Sequence, residues 1–113
     1  TWLTDAELVV YTEEYSRTGF QGGLNGYRMG GSGIGREEIQ LYAGKTIDQP
    51  SMFISGASDW GTYQRPGAFE RMQTQVCTAM RSVHLVKGAG HWVQQEQPEA
   101  TVRLILAFLE GLE

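Results

Sequence analysis

The sequence predicts an α/β fold that forms one part of a larger fold. From Pro50 onward the order reads strand, helix, strand, helix, which implies parallel strands with helices laid on the sheet. The two strand-like runs, 51–55 and 82–86, are short and bounded by turn residues. No strong strand precedes Pro50. Parallel sheets are covered on both faces, so two such strands need neighbours. The expectation is that the chain does not close its own core. The remaining strands would come from the same chain or from a separate one.

Each element has a local reason. Thr4-Asp5-Ala6-Glu7 is a capping box opening a helix over 5–17, with Leu8, Tyr11 and Tyr15 on one face. Gly19 is placed to cap its end. Residues 20–28 read as a second short helix and 37–42 as a third. The glycine-rich stretch 29–36 reads as a flexible loop. It is not a phosphate cradle: Arg36 stands where G-x-G-x-x-G needs its last glycine, no Gly-Lys-Ser/Thr follows, and no strand precedes it. Pro50 suits the first position of a strand. Residues 66–80 read as one helix, with Phe69, Met72, Val76 and Met80 on a core-facing stripe. Pro98 opens the last helix, expected to reach about Leu112 with Ala100, Leu104, Ile105, Phe108 and Leu112 inward.

Composition narrows the function classes. The 113 residues suffice for a modest core, and 41% apolar content with three tryptophans argues against disorder. The net charge of −4 is scattered, so neither nucleic acid nor an anionic membrane is an expected partner. No apolar run approaches the roughly 20 residues needed to span a bilayer. The first residues lack the pattern of a signal peptide, and the expected location is cytoplasmic. With no initiator methionine, the chain is expected to begin within a longer protein. Cys77 is the one cysteine, expected as a buried small hydrophobe rather than a reactive thiol. No His, Cys, Asp or Glu cluster has metal-ligand spacing, so neither a metal nor a cofactor is expected.

The chemistry converges on Gly88-Ala89-Gly90-His91-Trp92. Flanking glycines let the backbone turn sharply beyond a strand, presenting His91 where imidazole can act as a base near neutral pH. Asp59 follows the preceding strand. An acid and a histidine at the ends of two successive strands read as two thirds of a catalytic triad. Asp59 could instead serve as a helix N-cap or turn residue. Glu70 is the alternative acid but falls on a helix, and His84 sits inside a strand pattern and reads as structural. Trp60 and Trp92 read as pocket walls or packing.

Two segments carry a family resemblance. Gly56-Ala57-Ser58-Asp59 and then Gly88 through Pro98 resemble the C-terminal part of α/β-hydrolase-fold enzymes, most of all the epoxide hydrolases. Thr18-Gly19-Phe20-Gln21-Gly22-Gly23-Leu24-Asn25-Gly26-Tyr27-Arg28 is similar to the lid segment of that branch. The resemblance covers nearly the whole chain in order. It implies that 1–45 are the C-terminal part of a helical cap with a linker, and that 46–113 are the C-terminal part of the α/β-hydrolase core. It implies hydrolysis of a small-molecule epoxide to a vicinal diol through a covalent alkyl-enzyme ester. His91 would be the base that activates water, Asp59 the acid orienting it, and Tyr27 a cap donor to the epoxide oxygen. Trp60 and Trp92 would line the substrate site.

The sequence also departs from the pattern. Gly26 stands where the family usually has Trp, and Trp60-Gly61 follow Asp59 where small or apolar residues are usual. No segment matches the nucleophile, its oxyanion-hole loop or the second cap tyrosine. Asp5 and Asp48 lack the strand-to-helix elbow a nucleophile needs, so the chain alone is expected to be inactive. Two other readings remain: a haloalkane or haloacetate dehalogenase of the same fold, and a non-catalytic fragment or subunit that binds a partner through its sheet edge.

Overall fold

A computed structural model describes residues 2–112; Thr1 and Glu113, the outermost residues of the two expected domains, lie outside the described residues. The chain divides into two units, Thr1–Gly44 and Lys45–Glu113.

The first unit is helical. Helix α1 spans Asp5–Thr18. The Thr4 hydroxyl accepts from the Glu7 amide at 3.3 Å, and the Glu7 carboxylate accepts from the Thr4 amide at 2.7 Å, so two otherwise unpaired donors of the first turn are satisfied. The Thr4 amide first, and then the Thr4 hydroxyl, which donates to the same carboxylate at 2.7 Å, hold the Glu7 carboxyl below its ordinary value. Gly19 ends the helix by donating its N–H to the Tyr15 carbonyl, and the Phe20 ring stacks on Tyr15 at 4.5 Å. Helix α2 spans Gln21–Ser32, so the expected boundary at Arg28 and the expected loop over 29–36 are both corrected. Glycine lowers helix propensity without breaking the hydrogen-bond ladder, and the helix runs on until Gly33 takes up φ +78°. Helix α3 is Arg36–Gln40. None of these three helices holds a buried residue; Leu8, Tyr11 and Tyr15, which share one face of α1, are all exposed.

The second unit is built on two parallel strands. Strand β1 is Ser51–Gly56 and β2 is Met80–Val86, paired from Met52 opposite Ser82 to Gly56 opposite Val86. A single parallel bridge between Ile47 and Cys77 extends the pairing toward the strand starts. The segment between the strands is not the single helix expected over 66–80. A 3₁₀ turn at Trp60–Tyr63 is followed by helix α4, Ala68–Arg71, and by a π turn at Met72–Val76. The Cys77 amide bonds the Met72 carbonyl five residues back, and Ile47 takes the next backbone groups: its N–H donates to Val76 and its carbonyl accepts from Thr78. The bridge to Ile47 therefore unwinds the helix before Met80, which opens β2 instead. Phe69 still packs inward, its ring 5.4 Å from Phe53 and 5.8 Å from Tyr63, while Val76 is exposed.

Beyond β2 come a short helix α5, Val93–Glu96, and helix α6, Pro98–Glu110, with Pro98 in its first turn. Ala100, Leu104 and Phe108 face inward, but Ile105 and Leu112, expected with them, are 41% and 45% exposed. Thr101 is buried in their place, its hydroxyl donating to the Gln97 carbonyl at 2.9 Å. His84 lies half-buried on β2, beside Leu104 and Phe108 of α6. Among the described residues the buried apolar side chains are Cys77, Ala89 and Val93 only, and Val102, Leu106 and Leu109 lie exposed on α6. This is the uncovered α/β layer expected of part of a larger fold. No helix among the described residues is long and apolar enough to cross a membrane.

Candidate active site

Both strands end at the same place, and two loops meet there. After β1 the chain turns tightly: the Ala57 amide bonds Val86, the Ser58 amide bonds Ala89, and the Asp59 amide bonds Gly56. A Cβ on Gly56 would lie 2.2 Å from the Gly90 oxygen and 2.3 Å from the Ala89 oxygen. The loop that carries the histidine therefore passes directly over the end of β1, where only glycine fits. Within that loop, Gly88 adopts φ +76° and makes the sharp turn expected of the motif. Gly90 is not held by backbone conformation; a Cβ there would meet the Glu96 carboxylate at 3.4 Å.

The Glu96 carboxylate fixes the next three residues. One oxygen accepts from the Gly90 amide at 2.9 Å and the other from the Trp92 amide at 3.0 Å, so one side chain brackets His91 on both sides. The His91 Nδ1 then lies 3.1 Å from Asp59 Oδ1. His91 is exposed while Asp59 is only 9% exposed, so one edge of the ring meets a shielded carboxylate and the other is open. Trp60 lies nearly parallel to the imidazole with centroids 6.3 Å apart, and Trp92 meets it edge-on at 5.4 Å.

Asp59 both caps a turn and faces the histidine. It is the N-cap of the turn at Trp60–Tyr63, its Oδ1 accepting from the Gly61 amide at 2.8 Å, and the same oxygen faces His91. Its second oxygen accepts from the Ser55 hydroxyl at 2.9 Å, and Ser55 in turn accepts from the Thr62 hydroxyl at 3.0 Å. The Gly61 amide above all, with His91 and Ser55 adding to it, holds the Asp59 carboxyl below its ordinary value against the opposing effect of burial. An ionised carboxylate on Nδ1 favours the tautomer that carries its proton there, leaving Nε2 free to accept one.

The structure thus brings together Asp59, His91, Trp60 and Trp92. Glu70 is exposed on α4, and the carboxylate on His91 is that of Asp59. Tyr27 lies in the first unit on α2, 82% exposed. Sequence reasoning passed over Ser55, Thr62 and Glu96. Ser55 had a faint signal, a hydroxyl inside an otherwise apolar strand end; Thr62 had none. Glu96 stood inside the motif around His91 but was given no role, because a contact to backbone amides leaves no mark of residue type. Among the described residues no group of three His, Cys, Asp or Glu side chains could hold a metal ion.

No family model matches the chain. It is 40% identical over 113 residues to epoxide hydrolase B of Mycobacterium tuberculosis, covering 98% of this chain and 30% of that protein. It is 42% identical to epoxide hydrolase A of the same organism, covering 99% of this chain and 33% of that one. Among solved structures, potato (Solanum tuberosum) epoxide hydrolase I is similar with a TM-score of 0.84 and 30% identity, over 98% of this chain and 35% of that chain. The chain spans about a third of the length of the curated relatives it matches.

Proposed function

The chain matches the C-terminal part of epoxide hydrolases, proteins of the α/β-hydrolase fold, and we propose that the protein carrying it hydrolyses an epoxide to a vicinal diol. The observation that supports this most is the Asp59–His91 pair, set at the ends of two parallel strands with its carboxylate shielded and its imidazole open. In this reading residues 1–45 are cap and linker, and 46–113 are the end of the catalytic core.

A carboxylate from outside these residues attacks an epoxide carbon; its C–O bond forms as the ring C–O bond breaks. The leaving oxygen gains negative charge, and the Tyr27 phenol donates its proton to it, which lowers the barrier as that charge develops. The product of this step is an ester. His91 Nε2 then takes a proton from water, and the hydroxide attacks the ester carbonyl, releasing the diol and restoring the carboxylate; the proton on His91 returns through solvent to the Tyr27 phenolate, which closes the cycle. Asp59 holds the Nδ1 proton and stabilises the imidazolium. Trp60 and Trp92, whose rings lie against the imidazole, line the substrate site in this reading. No group in this chain is the nucleophile, so the chain by itself turns nothing over.

The test is made on the complete protein with styrene oxide as probe. His91→Gln lets the ester form and blocks its hydrolysis, so a covalent adduct accumulates; unchanged turnover sinks the role of His91. Tyr27→Phe in the same assay slows ester formation and leaves hydrolysis nearly untouched. Halide release from a haloalkane, with no diol from the epoxide, would move the reading to a dehalogenase.

A further inference from the structure

Beneath the Asp59–His91 pair runs a chain of hydroxyls with a single direction. The Thr62 Oγ1 donates to Ser55 Oγ at 3.0 Å, and Ser55 Oγ donates to Asp59 Oδ2 at 2.9 Å. Ser55 is 5% exposed and sits on β1 itself; Thr62 comes from the 3₁₀ turn that Asp59 caps. The two carboxylate oxygens are thus used differently: Oδ1 faces His91 and the Gly61 amide, while Oδ2 is held by Ser55.

We propose that Ser55 and Thr62 are positioning residues for the base, fixing the rotation of the Asp59 carboxylate and drawing part of its charge onto Oδ2, away from His91. A donor on one oxygen stabilises the carboxylate and weakens its pull on a partner at the other. Hydrogen bonds arranged in series polarise one another, so Thr62 strengthens the donation of Ser55. The effect is to temper Asp59: the imidazole is oriented while the pull of the carboxylate on it is reduced.

Few other charges compete for this role. On α5 the Glu96 carboxylate is engaged by the Gly90 and Trp92 amides. The hollow lined by Ser55, Asp59, Thr62 and His91 has no other ionisable side chain among its described residues; the rest of its lining is apolar, Phe53, Phe69 and Met72 included, apart from Gln64. Glu70 and Arg71 of α4 do not line it, and Tyr63 packs edge-on against Phe69. On β2, His84 lies instead beside Leu104 and Phe108 of α6.

The proposal rests on His91 as the base of ester hydrolysis, and its test separates the two. Single-turnover ester formation and hydrolysis of styrene oxide are measured against pH in the complete protein. Ser55→Ala should move the acid limb of the hydrolysis rate upward by about half a pH unit, slowing hydrolysis about threefold well below its midpoint and leaving ester formation unchanged. Thr62→Val, which keeps the side-chain shape, should move the limb the same way by less. The double variant should match Ser55→Ala alone, because Thr62 acts only through Ser55. A limb that stays in place or moves downward in Ser55→Ala overturns the proposal, as does a separate shift added by Thr62→Val in the double variant. If His91→Gln still turns over, the reading of the base itself has failed. If that variant traps the ester while Ser55→Ala leaves the limb unmoved, only the hydroxyl chain has.

Discussion

Gly56→Ala is the sharpest test of the site's geometry, because it adds one methyl group where three backbone atoms already crowd. The new Cβ would lie 2.2 Å from the Gly90 oxygen, 2.3 Å from the Ala89 oxygen and 2.4 Å from the Ala89 carbonyl carbon, against 3.4 Å at the start of ordinary contact. One loop must therefore retreat by about 1.2 Å. Neither neighbour can turn aside as a side chain would, since all three atoms are backbone. Overpacking of this kind costs typically 1–3 kcal/mol, and the rigid contact places this site at about 3 kcal/mol or above. The retreating loop is the one that carries His91, so the 3.1 Å contact to Asp59 opens at the same time. A misplacement of about 1 Å in a catalytic group costs roughly 100-fold in rate. The assay uses the complete protein: a urea melt for stability, and ester hydrolysis at a pH above the acid limb for rate. Gly56→Ala with wild-type stability and hydrolysis would refute the packing argument; lost stability with unchanged hydrolysis would refute the link from that packing to His91.

Glu96→Ala removes the acceptor of two backbone amides, of which that of Gly90 is half-buried; because an unpaired amide there costs about 1–3 kcal/mol, both stability and hydrolysis should fall, the latter visible as a lower single-turnover rate. Glu96→Gln keeps one acceptor oxygen and should fall between. Acid stability follows from Asp59. Its folded value lies below the ordinary 3.8, so its contribution is fully present above that value and is lost as pH falls further through the lower folded one. Urea melts between about pH 2 and 6 should show this acid-side loss in the wild type and a shallower slope in Asp59→Asn. Thr4→Ala should destabilise α1 by about 0.5–2 kcal/mol, read as reduced helicity by circular dichroism.

The strand pair and its direction were legible because two short apolar runs, one helix apart, admit few arrangements. The Asp59–His91 partnership was legible because acid and histidine each followed a strand, and adjacent parallel strands place their ends side by side. What lay between the strands was not legible. The stripe Phe69, Met72, Val76 and Met80 has helical spacing, yet Cys77 is drawn into extended pairing by Ile47, some thirty residues earlier. A local period cannot report a distant backbone partner. The loop expected over 29–36 failed for the opposite reason: glycine composition was read as a stop, when only Gly33, with its positive φ, ends the helix. The glycine pattern around His91 also assigned sharp turning to both flanks of Ala89. The position that excludes a side chain most severely is instead Gly56, on the other strand, where the constraint is contact rather than conformation.

The double use of Asp59 Oδ1 changes how substitutions at this residue are to be read. The oxygen that faces His91 also caps the turn carrying Trp60, so Asp59→Ala removes an orienting charge and an N-cap together. Lost hydrolysis in that variant could come from a neutral partner on the imidazole or from a displaced turn. Asparagine separates the two. It is as good an N-cap as aspartate, so the Gly61 amide keeps its acceptor. Its amide nitrogen can take the place of Oδ2 and donate to Ser55, which has a lone pair to spare after accepting from Thr62. The turn then stays where it is while the charge is gone. The difference between Asp59→Asn and the wild type measures the charge on His91, and the further difference to Asp59→Ala measures the turn. On the proposed mechanism, the residue that orients the base is therefore also a structural element of the loop beside it. Only a substitution that preserves the second role can isolate the first.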